Sequence, residues 1–384
     1  MDDAFLLGRV LLHFGDDACA EALIGNLSAI AFDPAGGLWL VSDELSGDRV
    51  MLSRLTSDGH GAFGGHARFD LADYIDLPHT GPEAAEADIE GLDYADHYLW
   101  FTGSHSAKRG RPKGRNRKKD LDRLARVEVD ANRCLLGRLP VVDGAPVRSC
   151  KHPKRGEETL TAARLGDGVG GNLLMEALQD DRHLGSYVRE QQEDAEKGTK
   201  AHPGKENGLD IEGLAVFDER LLIGMRGPVL RGWAVLLEIE PVDQAPGRLA
   251  LAVIADGQRY RKHFLDLDGL GIRELARDGD DLLIIAGPTM PLPGAQRLYR
   301  LHDASKLEND SFTSRDHHQL EAVCDLPRTG HGDHAEGLAA MRWPGSDGVL
   351  IVYDTPTASR RPGAGSVYAD VFRLDPRRTG GAKP

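Results

Sequence analysis

Asp210-Ile211-Glu212-Gly213-Leu214 opens the first of two apolar runs separated by a turn, and this pattern returns along the chain. Asp88-Ile89-Glu90-Gly91-Leu92 precedes Leu99-Trp100-Phe101-Thr102-Gly103, and His334-Ala335-Glu336-Gly337-Leu338 precedes the run from Val349 to Asp354. Two weaker copies complete the set: Asn26-Leu27-Ser28-Ala29-Ile30 before Leu38, and Gly271-Ile272-Arg273-Glu274-Leu275 before Leu282. Aligning the Glu position places Ser28, Glu90, Glu212, Arg273 and Glu336 together, at spacings of 62, 122, 61 and 63 residues. Self-similarity at a fixed period marks a repeat architecture, and short apolar runs joined by turns identify each repeat as a hairpin of strands.

Several of these runs are continuously apolar instead of alternating, so both faces of each sheet are expected to be buried. Sheets stacked radially on one another satisfy that, which points to an all-β chain folded as a β-propeller. Five blades are expected, or six if the doubled spacing hides a degenerate copy. The alternative for that gap is an insertion at 140–207 with no strand pair, helical between Asn172 and Arg189. Leu124 to Val129 is read as the third strand of the second repeat, and the stretches 249–254 and 260–267 as outer strands of the third. The chain 1–384 is expected to form a single domain with a basic loop at 106–119 and a loose polar tail at 376–384. Phe5 to Phe14 reads as a strand that closes the ring by joining the last sheet.

A formal charge of −14 argues against nucleic acid or an anionic membrane as the partner of the whole chain. Phe5 to Phe14 follows Asp2-Asp3 without a basic region, and no apolar run reaches the roughly 18 residues of a membrane span, so a cytoplasmic protein is expected. Cys19, Cys134, Cys150 and Cys324 lack the close spacing of a metal or redox motif and read as reduced, buried thiols.

Residues two apart on a strand share a face. Asp88 with Glu90, Asp210 with Glu212, and His334 with Glu336 therefore converge on the mouth of the axial channel, beside Arg273. Like charges held close raise one another's pKa or recruit a cation. A hard divalent ion fits this set, calcium before magnesium, with Glu90, Glu212, Glu336, Asp88 and Asp210 as ligands. The alternative is that the carboxylates pair with Arg226, Arg273 and backbone groups as channel plugs. His334 and His331 are candidate acids or bases beside a metal-bound water, against the plainer reading of turn histidines.

Eight Lys or Arg residues lie between positions 108 and 119 of this acidic chain. They read either as a solvated loop or as a segment that folds over the channel mouth and collects a small anionic molecule, with His105, Lys108 and Arg109 nearest. No aromatics interleave to stack bases, which argues against nucleic acid. Arg226, fixed by a Gly-Pro turn, and Arg273 are better-aimed anion contacts. No nucleophile elbow, P-loop or His-Glu-x-x-His pair is present.

With its Asp-Ile-Glu-Gly-Leu strands and its Arg226-Gly227-Pro228 turn, the sequence resembles a bacterial family known as a domain of unknown function, from about Asn26 to Leu374. The Glu-Gly-Leu strands also resemble, more distantly, the phytase-like esterase family of propellers. That likeness implies metal-assisted hydrolysis of an ester or phosphoester with Glu90, Glu212 and Glu336 as metal ligands. The chain departs from it at Ser28 and Arg273, in the basic loop and in the insertion. Two functions follow as expectations: a calcium-dependent hydrolase of a small anionic ester, or a non-catalytic propeller that binds an anionic ligand or a protein partner on the same face. They differ in whether the carboxylates keep an open coordination position or are consumed by arginine.

Overall fold

The structure, a computed structural model, describes residues 5–42, 49–80, 87–197, 202–254, 257–292, 294–327 and 332–374. Its strands pair as antiparallel sheets arranged around an axis. Leu27–Phe32, Leu38–Ser42, Met51–Ser57 and Ala62–Asp70 form the first, each strand pairing with the next. The second holds Ile89–Ala95, Tyr98–Gly103, Leu136–Val142 and Ala163–Leu165. Asp210–Phe217, Arg220–Gly227, Ala234–Ile239 and Arg261–Leu265 make the third. Gly271–Asp278, Asp281–Gly287, Arg297–Leu301 and Leu320–Asp325 make the fourth. The last contains His334–Trp343, Ser346–Asp354 and Ser366–Arg373.

The first strand of each sheet is innermost. These inner strands pack in succession, first on second, second on third, third on fourth, fourth on fifth and fifth back on first, so that the chain forms a β-propeller. Leu6–His13 adds to Ser366–Arg373 as the outer strand of the last blade, the closure expected from the apolar N-terminal run. It also runs parallel to the first blade through Leu11 with Ala62 and Leu12 with Phe63. Both ends of the ring are thereby hydrogen-bonded, which removes an exposed edge. Apolar side chains fill the wedges between blades, as where Leu27, Leu40, Val352 and Val371 meet.

Three local expectations are overturned. Leu124 to Val129 is not a blade strand: Arg117–Ala125 is a helix, and Val127–Glu128 pairs with Lys108–Arg109 as a short ribbon. The third strand of the second blade is Leu136–Val142 instead. Residues 140–207 do contain paired strands, including Ser149–Lys151 with Thr159–Thr161 and the outer blade strand Ala163–Leu165, before the helices Leu173–Leu178 and Gly185–Lys197. No innermost strand lies among their described residues, and the inner strands of the second and third blades touch directly. Arg248–Leu251 does not join the third blade; it crosses to pair in parallel with the outer strand of the second.

All four cysteines are unpaired, but only Cys134 is buried, where desolvation pushes its thiol up to about 12; Cys19 is exposed. The tail at 376–384 lies outside the described residues. Among the described residues no helix is long and apolar enough to cross a membrane.

Candidate functional site

Each inner strand carries a break in its pairing register at the repeat's aligned position. The slip falls between Leu27 and Ala29, between Ile89 and Gly91, between Ile211 and Leu214, between Ile272 and Glu274, and between Ala335 and Gly337. Ser28, Glu90, Glu212, Arg273 and Glu336 are therefore bulge residues. A bulge bends its strand and re-aims a side chain out of the ladder, so the ring presents this residue from every blade at one end of the channel. The glycine that follows has a separate cause. A Cβ on Gly91 would lie 2.9 Å from Leu214 Cβ, and one on Gly213 would lie 3.0 Å from the Leu275 amide nitrogen. Glu-Gly-Leu is thus a bulge followed by a close approach to the next blade.

The charges brought together are paired. Glu212, with a side chain 5% exposed, accepts from Arg226 Nη1 at 2.7 Å through one oxygen and faces Arg273 Nε at 2.9 Å through the other. Arg226 also lies 3.7 Å from Asp210 and donates to the Thr289 carbonyl at 3.0 Å. Arg273 continues to Glu336, and Asp88 pairs with Arg133. Ser28 bridges the first and second blades by donating to the Ile89 carbonyl at 2.8 Å. Burial, reinforced by Glu212, pushes the Asp210 carboxyl up to about 7 against the pull of Arg226. Burial also pushes Glu336 up to about 7, with Arg273 opposing and Asp354 and Glu212 assisting.

Calcium can be tested against this geometry. Both oxygens of Glu212 are already turned to guanidinium groups, and Arg226 and Arg273 stand between the carboxylates where a cation would be needed. Glu90, Glu212 and Glu336 form no group of closely spaced ligand atoms among the described residues. As arranged, these residues do not fit a calcium ion.

The described residues that do bring ligand atoms within 4.8 Å of one another are Asp96 and His97, in the inner hairpin turn of the second blade and away from the mouth, with His152 from the insertion. His152 Nδ1 accepts from the amides of Lys154 and Arg155, each at 3.0 Å, so its proton sits on Nε2, 3.2 Å from Asp96. A metal on Nε2 would leave the ring without a proton, and Arg155 already holds the other Asp96 oxygen at 2.5 Å. This small His/Asp cluster is satisfied as a hydrogen-bonded staple.

The histidines separate. His105 is 1% exposed, with Nδ1 donating to the Gly103 carbonyl at 2.8 Å and Nε2 accepting from Asn172 at 2.8 Å. Desolvation lowers it to about 4, and with both nitrogens used it anchors the insertion instead of facing the ligand space. His334 is exposed at the start of the last blade's inner strand, opposite Asp354 in register. His331 lies outside the described residues.

The basic segment forms an arm at the rim. Lys108 and Arg109 pair with Val127–Glu128, and Asn116 caps the helix by accepting from Lys119 at 3.1 Å. Arg109 is clamped to Glu206 by bonds of 2.5 and 3.0 Å. Two pairing residues at the mouth escaped the sequence reading: Arg133, which pairs with Asp88, belongs to the 3-10 turn Ala131–Cys134, and Glu206, which clamps Arg109, to the 3-10 turn Gly204–Glu206 at the end of the insertion. Neither lies in the repeat, so no periodic signal could have found them.

The family described as "Protein of unknown function (DUF3616)" matches residues 26–370. One curated relative, a probable D-xylose utilization operon transcriptional repressor from Paenarthrobacter nicotinovorans, is 29% identical over 135 residues, 34% of this chain, which spans 57% of that protein's length. Among solved structures, the β-propeller domain of Cps50 (Swd1) from Myceliophteria thermophila aligns over 91% of this chain and 98% of its own at 8% identity and a TM-score of 0.33. The catalytic domain of a Coprinopsis cinerea GH62 α-L-arabinofuranosidase aligns over 96% and 97% at 8% identity and a TM-score of 0.35.

Proposed function

The chain belongs to the DUF3616 family, and we propose that it binds a small anionic molecule over the loop-bearing mouth of its propeller, captured by the basic arm. One observation carries this reading: the arm is folded onto the rim, where Arg109 is clamped to Glu206, and beyond that clamp residues 111–119 are exposed. Between 108 and 126 it holds ten Lys or Arg against two Asp, in a chain whose net charge is −14. A concentrated positive field beside an acidic body steers anions to one place. The paired ring beneath supplies a rigid floor. Four unpaired cysteines fit a reducing compartment, in keeping with a cytoplasmic protein.

Hydrolysis of an ester or phosphoester is the second reading, and the raised carboxyls favour it. Burial pushes the Glu336 and Asp210 carboxyls up to about 7, toward the range a general acid or base needs. A calcium-dependent version would require Glu212 and Glu336 to exchange arginine partners for the ion.

Titration calorimetry with inorganic phosphate, pyrophosphate and a sugar phosphate tests the first reading, at about 0.01 and about 0.15 M salt. Saturable binding that weakens with salt is expected, as is its loss in a variant with Lys113, Arg115, Lys118 and Lys119 all changed to Glu. Equal affinity in that variant, or no binding at low salt, would overturn it. Turnover of nitrophenyl esters and phosphoesters, with and without calcium, tests the second.

A further inference from the structure

The helix of the basic arm, Arg117–Ala125, is turned inside out. A surface helix ordinarily buries its apolar stripe and leaves its charges in water. Here Asp120 and Arg123 are the partly covered residues, and they pair with each other at 2.7 Å. Asp120 also accepts from the Lys113 amide at 2.9 Å, and a Cβ on Gly110 would lie 2.6 Å from the Arg123 carbonyl oxygen, so this polar side faces the rest of the arm. Leu121 and Leu124, three residues apart and so on one face, are left 58% and 46% exposed. Arg117 and Lys118, four and three residues before Leu121, share that face. The orientation is fixed, because Arg109 Nη1 donates to the Leu124 carbonyl at 2.7 Å and Asn116 caps the first turn. Met290 and Leu292, 42% and 59% exposed, stand on the loop that follows Asp281–Gly287. Gly287 pairs with Gly271, two residues from the bulge at Arg273, so this loop opens on the same mouth, where Arg226 Nε donates to the Thr289 carbonyl at 3.0 Å.

We propose that this helix is a docking surface for an anionic lipid bilayer, with Leu121 and Leu124 entering the boundary between headgroups and acyl chains and the surrounding Lys and Arg side chains meeting lipid phosphates. The inference rests on the arm as the anion-binding element and names the surface that carries the anion. A free anion needs cationic partners but gives no use to outward leucines. Single exposed apolar residues are ordinary; a pair turned outward on a capped helix, while its acid-base pair is turned inward, calls for a partner with an apolar layer. Leucines on one face with Lys and Arg around them are the composition of a helix that lies in a membrane interface. Six exposed cations between Arg111 and Lys119 form the kind of cluster that anionic headgroups attract. The chain as a whole is acidic, so the same surface repels the body and draws the arm, which makes the mouth face the side of approach. Met290 and Leu292 offer that surface a second apolar contact.

The test is flotation of the full chain with vesicles of phosphatidylcholine alone and of phosphatidylcholine with phosphatidylglycerol in equal parts, at about 0.15 M salt. Wild type should partition onto the anionic vesicles and not onto phosphatidylcholine alone. The Leu121→Gln, Leu124→Gln double variant should bind the anionic vesicles at least about tenfold more weakly, since neither side chain then gains from leaving water. Its affinity for inorganic phosphate, read by calorimetry, should stay within about twofold of wild type. The variant with Lys113, Arg115, Lys118 and Lys119 changed to Glu should lose both. Absence of wild-type binding to anionic vesicles overturns the docking surface, as does vesicle binding by the glutamine variant within about twofold of wild type, or equal binding to phosphatidylcholine alone. Capture by soluble polyglutamate in place of vesicles overturns it too and assigns the arm to an acidic protein segment. Phosphate bound without vesicles sinks this proposal alone, whereas vesicles bound without phosphate, pyrophosphate or sugar phosphate support it and sink small-anion capture. Circular dichroism reports folding; should the glutamine variant unfold, the Leu121→Ala, Leu124→Ala variant, which keeps helix propensity, is read in its place.

Discussion

Glu212→Gln separates a charge-paired ring from a metal cage, because the two arrangements give opposite signs. In the structure Glu212 accepts from Arg226 at 2.7 Å and is ion-paired with Arg273 at 2.9 Å, both guanidinium groups being buried. Glutamine keeps the shape but loses the charge, and its amide nitrogen must turn a donor toward one arginine. Breaking a buried pair by neutralising one partner costs about 3–5 kcal/mol, because the surviving charge is left uncompensated. The lower end, about 3 kcal/mol, applies because Arg226 keeps Asp210 at 3.7 Å and Arg273 keeps Glu336. The assay is urea unfolding at neutral pH, read as a lower midpoint at unchanged slope, with EDTA present throughout. If the ring were a vacant cage of like charges, removing one carboxylate would relieve repulsion and raise the midpoint. A rise, or a fall below about 1 kcal/mol, would refute the pairing described here.

Glu274→Gln should behave oppositely. Glu274 is fully buried, accepts from the Leu275 amide at 2.8 Å, and is pushed well above the carboxylate range by desolvation. A carboxyl raised on folding stabilises at low pH and loses that contribution as pH climbs through the unfolded value toward the folded one, so the glutamine variant should match or exceed wild type in unfolding midpoint at neutral pH. Gly91→Ala should lower the midpoint by about 1–3 kcal/mol equivalent through overpacking on Leu214, whereas Gly156→Ala, with nothing within 4 Å of the added carbon, should stay within about 0.5 kcal/mol. For His105 the folded pKa is depressed to about 4, so its contribution is present above about pH 6.5 and lost as pH falls toward 4. His105→Gln should therefore show a smaller drop in thermal midpoint than wild type between about pH 7 and about pH 5.

The inner hairpins were legible because burial on both faces leaves little choice of residue: Asp210–Phe217 and Tyr98–Gly103 are buried at every position. The outer strands were not. Ala163–Leu165 is three residues long with an arginine at its centre, and no pattern in so short a stretch distinguishes a blade edge from a loop. The hairpin that crosses from the third blade to the second is fixed by two parallel pairings, Arg164 with Arg248 and Leu165 with Leu249, between segments more than 80 residues apart, and local sequence carries no trace of that partnership. Leu124 misled for a different reason: it is an apolar residue left 46% exposed on the arm's helix, so its hydrophobicity reports no core.

At the mouth the repeat specified which carboxylates meet, because one bulge recurs at one place in every inner strand. It could not specify how they are neutralised. Asp88 is answered by Arg133 from a connection, outside the periodic positions. Only where the counter-charge falls inside the repeat, as Arg273 does in the fourth copy, was it visible beforehand. That copy also reverses the usual order, with the cation at the bulge and Glu274 where glycine or alanine otherwise stands. The reversal has a physical reason: the guanidinium extends from the bulge to Glu212 and Glu336, while the displaced glutamate, buried without an ion pair among the described residues, is pushed well above the usual carboxylate range by desolvation. A weakened copy in a repeat protein can therefore mark the blade that supplies what the other copies lack.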